Sequence, residues 1–569
     1  GDRRWLDLSY KFEHESFIRP LTQHEDNRAG KHGNTQVPKL IGSADRFVCT
    51  GRAADAVAAD FFWDRVVHHH SFATGGHGKD EYFHQAGRLS AIVDGRTCET
   101  CNVYNMLKLT RRLFALDPDP AYADFHERAL FNHILASQDP TDGWACYMVP
   151  VGRRVQREYE RNMLDGSFTC CTGSSLESHA LHADGLYYVA DDTLYVNFYA
   201  ASTAQWARHE ARLTVDTDLP LGASATLTMS LAHPRKLTLA LRRPYWAGDG
   251  FGIAINGQAL TEEELADPEV PALGRRHPNA PQPKPSSSYV LLKRIWRDGD
   301  TVEVTLPKAL RLEPMPDNPR QVAILWGPLV LAGDLGPERD RRSGGHKDRI
   351  PAFVAAGQPV SEWLKPVDGR PGHFKTIGVG QPKDVAFMPF YQLHRHTYGV
   401  YWDTFTPAEW EVEQAAYAAE QERLRKLEAA TVAYCQPGEM QPERNFNFQI
   451  GDERTWPLRT EDRPGRMART WMSFDMPVES DHPMALVITY CSRERRRGEA
   501  RFDIQVDGEK VASQNVGREE ALRFYDVEYP LPASTVEGKQ KVTVKFVALD
   551  GSRVAGVYGV RMIRADAER

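Results

Sequence analysis

Thr97-Cys98-Glu99-Thr100-Cys101 and the adjacent pair Cys170-Cys171 hold four of the eight cysteines in this 569-residue chain. Thiolate sulfur beside a carboxylate is the donor set that zinc favours in a four-ligand shell. Two ligand sets are open on spacing alone. Cys98-x-x-Cys101 with Cys170 and Cys171 would close a structural site of four cysteines. Glu99, Cys101, Cys170 and Cys171 would instead form a mixed carboxylate–thiolate site that leaves room for chemistry. Neighbouring cysteines are poorly placed to bridge each other, and eight in this length do not make a disulfide framework.

The remaining composition narrows the function classes. A net charge of −7 points neither to nucleic acid nor to an anionic membrane. No run of eighteen apolar residues predicts a transmembrane span. Gly1-Asp-Arg-Arg-Trp5 is not a signal peptide and has no initiating methionine, so a processed or truncated chain is expected. Its 12 Trp, 21 Tyr and 24 Phe mostly fill cores, with some free to stack on sugars. The length predicts several domains.

Residues 1–192 are expected to form the first domain, with a helical pattern from about 35 to 190. Pro38 to Gly51 predicts one helix and Ala53 to Val67 the next, with Val57, Phe61, Phe62 and Val66 on its apolar side. His68-His69-His70 suits a helix C-terminus through the dipole. The glycine-rich loop Thr74-Gly-Gly-His-Gly-Lys-Asp-Glu81 lacks the ending of a phosphate-binding loop. It is expected to present Glu81 over a cavity. Val103, Met106, Leu107, Thr110, Leu113 and Phe114 predict a helix broken at Asp117-Pro-Asp-Pro120, and paired helices of this kind suggest a toroid or bundle. Ser174-Ser-Leu-Glu177 reads as a capping box for a helix running to about Val189, with ligand binding as the other role for Glu177. From Thr193 the period becomes two, predicting a β-sandwich over 193–335 that includes a long loop at Pro278–Pro285. Residues 336–430 read as mixed, with an exposed loop at Pro337–Lys347 and an exposed helix from Thr406 to Ala430. A C-terminal jelly-roll-like sandwich is expected over 431–569, with Phe502, Ile504 and Val506 alternating, and likewise Val542, Val544 and Phe546.

Thr97-Cys-Glu-Thr-Cys-Asn-Val-Tyr-Asn-Met106, Phe168-Thr-Cys-Cys-Thr-Gly173 and Leu194-Tyr-Val-Asn-Phe-Tyr199 resemble the zinc-dependent β-L-arabinofuranosidases of glycoside hydrolase families 127 and 146. His32-Gly-Asn-Thr-Gln-Val-Pro-Lys39, Thr74-Gly-Gly-His-Gly78 and Gln321 to Leu331 agree with it. The resemblance runs over about residues 30 to 335, and later segments such as Met388-Pro-Phe-Tyr391 look more like the larger family-146 type. It implies a partial (α/α)6 barrel followed by β-sandwich domains, with the N-terminal part of the barrel outside this sequence. Zn2+ would be held by Glu99, Cys101, Cys170 and Cys171. Cys170 would be the nucleophile and Glu81 the general acid/base. His32 would contact the sugar, and Cys98 has no role in that scheme.

The implied activity is retaining hydrolysis of arabinose-containing oligosaccharides or polysaccharides, with a periplasmic or extracellular setting by analogy. The alternative is a non-catalytic glycan-binding or scaffold protein with a structural zinc, the one the four-cysteine set would serve. A third reading keeps the hydrolase scaffold and changes the sugar.

Overall fold

The computed structural model describes residues 2–160, 168–265, 287–338, 349–451, 455–460, 463–492, 500–517 and 523–566. Pro278–Pro285 and nearly all of Pro337–Lys347 lie outside them. Two units divide the chain, residues 1–407 and 408–569.

The first unit opens with helices α1 (Arg3–Lys11), α2 (Glu15–Thr22), α3 (Gly33–Thr50) and α4 (Ala53–Arg65). α1 buries none of its side chains, and Trp5 and Phe12 are exposed. α3 starts five residues before the expected Pro38, which lies in its second turn and there forfeits one i→i−4 hydrogen bond. Its buried stripe of Val37, Leu40, Ile41 and Ala44 has helical spacing. Gly51 ends it at φ +68°, where an L-residue would be strained, and its N–H donates to Phe47 O. α4 runs into a π turn over Val66–His70, whose histidines part: His68 meets Asp64 at 2.9 Å and His70 meets Asp26 at 3.2 Å.

α5 (Thr100–Leu116) buries all six apolar-stripe residues read from the sequence. α6 (Pro120–Ala129) starts on its proline after Asp119, whose carboxylate caps Ala121 N–H at 2.8 Å. α7 corrects the expected capping box. It spans Cys170–Ala180, is capped by Thr169, and gives way to a strand at Tyr187–Ala190. Thr169 Oγ1 accepts from Thr172 N–H, while Ser174 turns back to donate to Cys170 O, so neither end of the Ser174/Glu177 box forms. The short strands β1 (Cys146–Met148) and β2 (Glu158–Tyr159) pair antiparallel beneath these helices.

A sandwich follows. One sheet has the order Gln258–Ala259, Gly252–Ile255, Thr301–Thr305, Ser224–Leu231, Ala211–Thr217, Ser202–Trp206. The other runs Ser288–Trp296, Arg235–Arg243, Thr193–Val196, Tyr187–Ala190. Strands Leu310–Met315, Asn318–Trp326 and Leu329–Pro337 do not join it. They pair with later strands up to Tyr401–Phe405 in a ten-stranded sheet. The helices pack on the sandwich, and the loop segments between them on the ten-stranded sheet. Phe114, Phe125 and Val103 share a core with Phe198, Ala240 and Tyr289. Phe72, Val93 and Cys98 share another with Leu325, Val330 and Tyr398. Fully buried Arg242 reaches Asp124 of α6 at 2.9 Å, so this seam carries a charge pair that is costly to break singly.

The second unit opens with the helix Pro407–Ala430, which is exposed along most of its length. Two sheets enclose one core, to which the alternating Phe502, Ile504, Val506, Val542, Val544 and Phe546 all contribute.

Candidate metal and catalytic site

Glu99, Cys101, Cys170 and Cys171 converge, with one ligand atom from each lying within 4.8 Å of the others. Their placement follows from two helix starts. Glu99 is the N-cap of α5 and Cys101 lies in its first turn. Cys170 and Cys171 are the first two residues of α7. Unpaired backbone N–H groups and the positive ends of both dipoles therefore face four acidic side chains.

Cys101 Sγ is 3.3 Å from Cys171 Sγ and 2.9 Å from Ser174 Oγ. Glu99 Oε1 is 3.7 Å from Cys170 Sγ and 3.8 Å from Cys171 Sγ. Ligands held about 2.1–2.3 Å from a tetrahedral ion are themselves about 3.4–3.8 Å apart, so the spacing fits a zinc-sized cation. Glu99 Oε2 is buried with no hydrogen-bond partner, an acceptor that an ion would satisfy. The electrostatics agree with that fit. Burial, reinforced by Glu81, pushes Glu99 up to about 7, and burial with the Cys101 charge pushes Cys170 up to about 12. Cys101 moves down because Cys171 donates toward it. Four such groups are fully ionised together only with positive charge between them.

Cys98 is not part of the set. Its side chain is fully buried in the core beside the ten-stranded sheet, and burial pushes its thiol up to about 12. It approaches the chain so closely at Gly76 that a Cβ there would lie 2.6 Å from its sulfur. The four-cysteine reading fails for this reason: residue 98 has φ +61° and turns inward, while Glu99 and Cys101 face the site.

Glu81 reaches the ligand set through the backbone. Asp80 N–H donates to Arg96 O, Cys98 N–H to Gly78 O and Val149 N–H to Cys98 O. The loop, the ligand segment and β1 thus form one irregular ladder. Glu81 sits at φ +72°, held by Gly33 N–H on its carbonyl at 2.7 Å. Backbone strain of this kind in a side chain-presenting loop marks pre-organisation. Tyr147 Oη donates to Glu81 Oε1 at 2.6 Å, and His32 Nε2 is 2.9 Å from Oε2. Burial raises the Glu81 carboxyl, but these two contacts outweigh it and leave the group below its ordinary value. Tyr147 also ties the two halves together, since its carbonyl lies 3.8 Å from Cys171 Sγ.

The structure therefore joins Glu99, Cys101, Cys170 and Cys171, and places His32 on Glu81. Glu177 lies apart on the exposed side of α7, 4.0 Å from Lys108. Tyr147 was not singled out from the sequence, and Ser174 was read there only as part of a helix cap. A three-residue strand is too short to show a period, so Cys146-Tyr147-Met148 gave no signal.

Residues 1–184 match the family model of the β-L-arabinofuranosidase GH127 catalytic domain, and 193–308 match that of the GH127 middle domain. Residues 426–563 match a family of unknown function. The non-reducing end β-L-arabinofuranosidase of Bifidobacterium longum subsp. longum is 24% identical over 299 residues, covering 48% of this chain and 41% of that protein. The chain thus spans well under half the length of that relative. A solved GH127 β-arabinofuranosidase superposes with a TM-score of 0.54 at 20% identity, over 71% of this chain and 66% of its own. A further solved glycoside hydrolase gives 0.51 at 18% identity, over 67% of each chain. Residues 1–184 and 193–308 thus belong to the GH127 β-L-arabinofuranosidase family as its catalytic and middle domains.

Proposed function

We propose that this protein is a retaining glycoside hydrolase that releases β-L-arabinofuranose from arabinose-containing glycans. The observation that carries the reading is one arrangement: Cys170 is the exposed member of an otherwise buried Glu/Cys3 set, and Glu81 is tied to that set through Tyr147. A sealed structural site would bury all four donors. The relatives named above are β-arabinofuranosidases, which supports the sugar.

Zn2+ held by Glu99, Cys101, Cys170 and Cys171 would supply positive charge that keeps thiols ionised near neutral pH. The chain's own groups do the rest. Retaining glycosidases pair an acid/base with a nucleophile, usually two carboxylates about 5 Å apart; here a thiolate takes the second place. Cys170 Sγ attacks the anomeric carbon as the C1–O bond breaks. Glu81 gives its proton to the leaving oxygen. Glu81 then takes a proton from water as that water's oxygen displaces sulfur, which restores the anomeric configuration. His32 faces the sugar beside Glu81. Buffering of reduced cysteines by a metal suits an extracellular or periplasmic setting, which we propose as the site of action.

Two measurements test this. Metal analysis of the purified chain should find about one zinc per chain, lost in Cys101→Ala. Cys170→Ala and Glu81→Ala should each lower turnover of a β-L-arabinofuranoside by at least about 100-fold, the lower end of what an acid/base contributes. Near-normal turnover in either variant removes the role given to that residue.

A further inference from the structure

The two oxygens of Glu81 are not equivalent, and the difference has a mechanistic reading that rests on the hydrolase proposal above. We infer that Tyr147 is a positioning residue that pins Glu81 Oε1, leaving Oε2, on the His32 side, as the oxygen that gives the proton to the leaving group and takes it back from water.

The two partners differ in what they can do. Tyr147 Oη donates to Oε1 at 2.6 Å. A phenol keeps its proton at neutral pH, so the contact stays a donation. A proton on Oε1 would set two O–H groups against each other. His32 Nε2, at 2.9 Å from Oε2, belongs to a ring that donates or accepts according to its tautomer. Its Nδ1 is buried with no hydrogen-bond partner, so nothing fixes which nitrogen carries hydrogen. The Oε2 edge alone accommodates both protonation states of the carboxyl.

The phenol is also anchored independently of the carboxyl it serves. Tyr147 lies in β1, whose neighbour Met148 pairs with Glu99. The Arg96 guanidinium stands 5.9 Å from the Tyr147 ring centroid and is itself held by Glu158 at 2.8 Å. The titratable and charged groups facing Glu81 are therefore His32, Arg96 and, across the site, Glu99. In the first step the Oε2–H proton passes to the glycosidic oxygen as the C1–O bond breaks and the C1–S bond forms. In the second, water loses its proton to Oε2, its oxygen bonds C1, and the C1–S electrons return to sulfur.

The test uses the full zinc-loaded chain, with methyl β-L-arabinofuranoside and 4-nitrophenyl β-L-arabinofuranoside as probes. Nitrophenolate leaves with little protonation, whereas methanol needs the acid. Tyr147→Phe keeps the backbone carbonyl toward Cys171, so zinc content should stay at the wild-type value. We expect kcat on the methyl glycoside to fall about 100-fold, while the first burst of nitrophenolate changes little. In a Glu81→Ala background rescued by azide, adding Tyr147→Phe should cost nothing more. Equal losses on both probes, no loss on the methyl glycoside, or an additive loss in the azide-rescued background would each overturn the assignment. A wild-type chain that turns over neither probe would sink the hydrolase reading, and this inference with it.

Discussion

At the scale of single residues, the cysteines divide by where the backbone turns them. Cys98 and Cys101 look interchangeable as ligands in the sequence, three positions apart. The positive φ at Cys98 sends its sulfur into the core, and the start of α5 sends that of Cys101 into the site. Cys98→Ala should therefore leave the zinc stoichiometry of the purified protein unchanged and lower stability by about 1 kcal/mol, as expected for a modest core truncation. Loss of the metal in that variant would bring the four-cysteine site back. That these two segments could hold a metal was legible, because soft donors in two tight clusters have few other uses. Which cysteine stays out was not, since φ at residue 98 depends on strand β1, which lies nearly fifty residues on. Tyr147 was hidden for the same reason: its partners are Glu81 and Cys171, neither of them near in sequence.

At the scale of elements, every proposed ligand depends on how a helix begins. Thr169 caps α7 and also donates to Glu160. Thr169→Ala should cost about 1 kcal/mol and weaken zinc retention in competition with a chelator, because Cys170 and Cys171 form the turn that the cap holds. Retention equal to wild type would show that the α7 start is rigid without its cap. The long periodic helices α3 and α5 could be read from apolar spacing. The Ser174 box could not be rejected that way, since its pattern is satisfied locally and only the contact of Thr169 with Glu160 decides the start. The strands from Leu310 to Pro337 pair with one another and with strands from residues 386–405, and a strand's pairing partners leave no mark on its own residue pattern.

At the scale of the whole chain, three fully buried histidines set an acid limit. Burial pulls His77, His126 and His133 down to about 3. In the unfolded chain they titrate near 6.5. Between those values the unfolded chain binds more protons than the folded one, so stability falls as pH falls. The melting temperature should drop steadily from pH 6.5 toward 4; a flat profile over that range would show that these rings are not buried neutral. Asp26 adds to the decline only below about 3.9, its unfolded value, because His70 and Arg28 outweigh burial and hold its folded value far lower. Residues 408–569 have a core of their own. Expressed alone, they should unfold in one cooperative calorimetric transition, and a chelator should leave that transition where it is. For residues 1–407 the chelator acts on a different quantity. Cys101 and Cys171 stand 70 residues apart, so an ion gripping both is a cross-link in the topological sense, closing a ring of chain as a disulfide does. A ring of that size removes unfolded-state entropy worth about 4 kcal/mol at room temperature. An ion that stayed bound through unfolding would thus act on the unfolded chain, and a reducing environment that would open a disulfide would leave such a clasp shut.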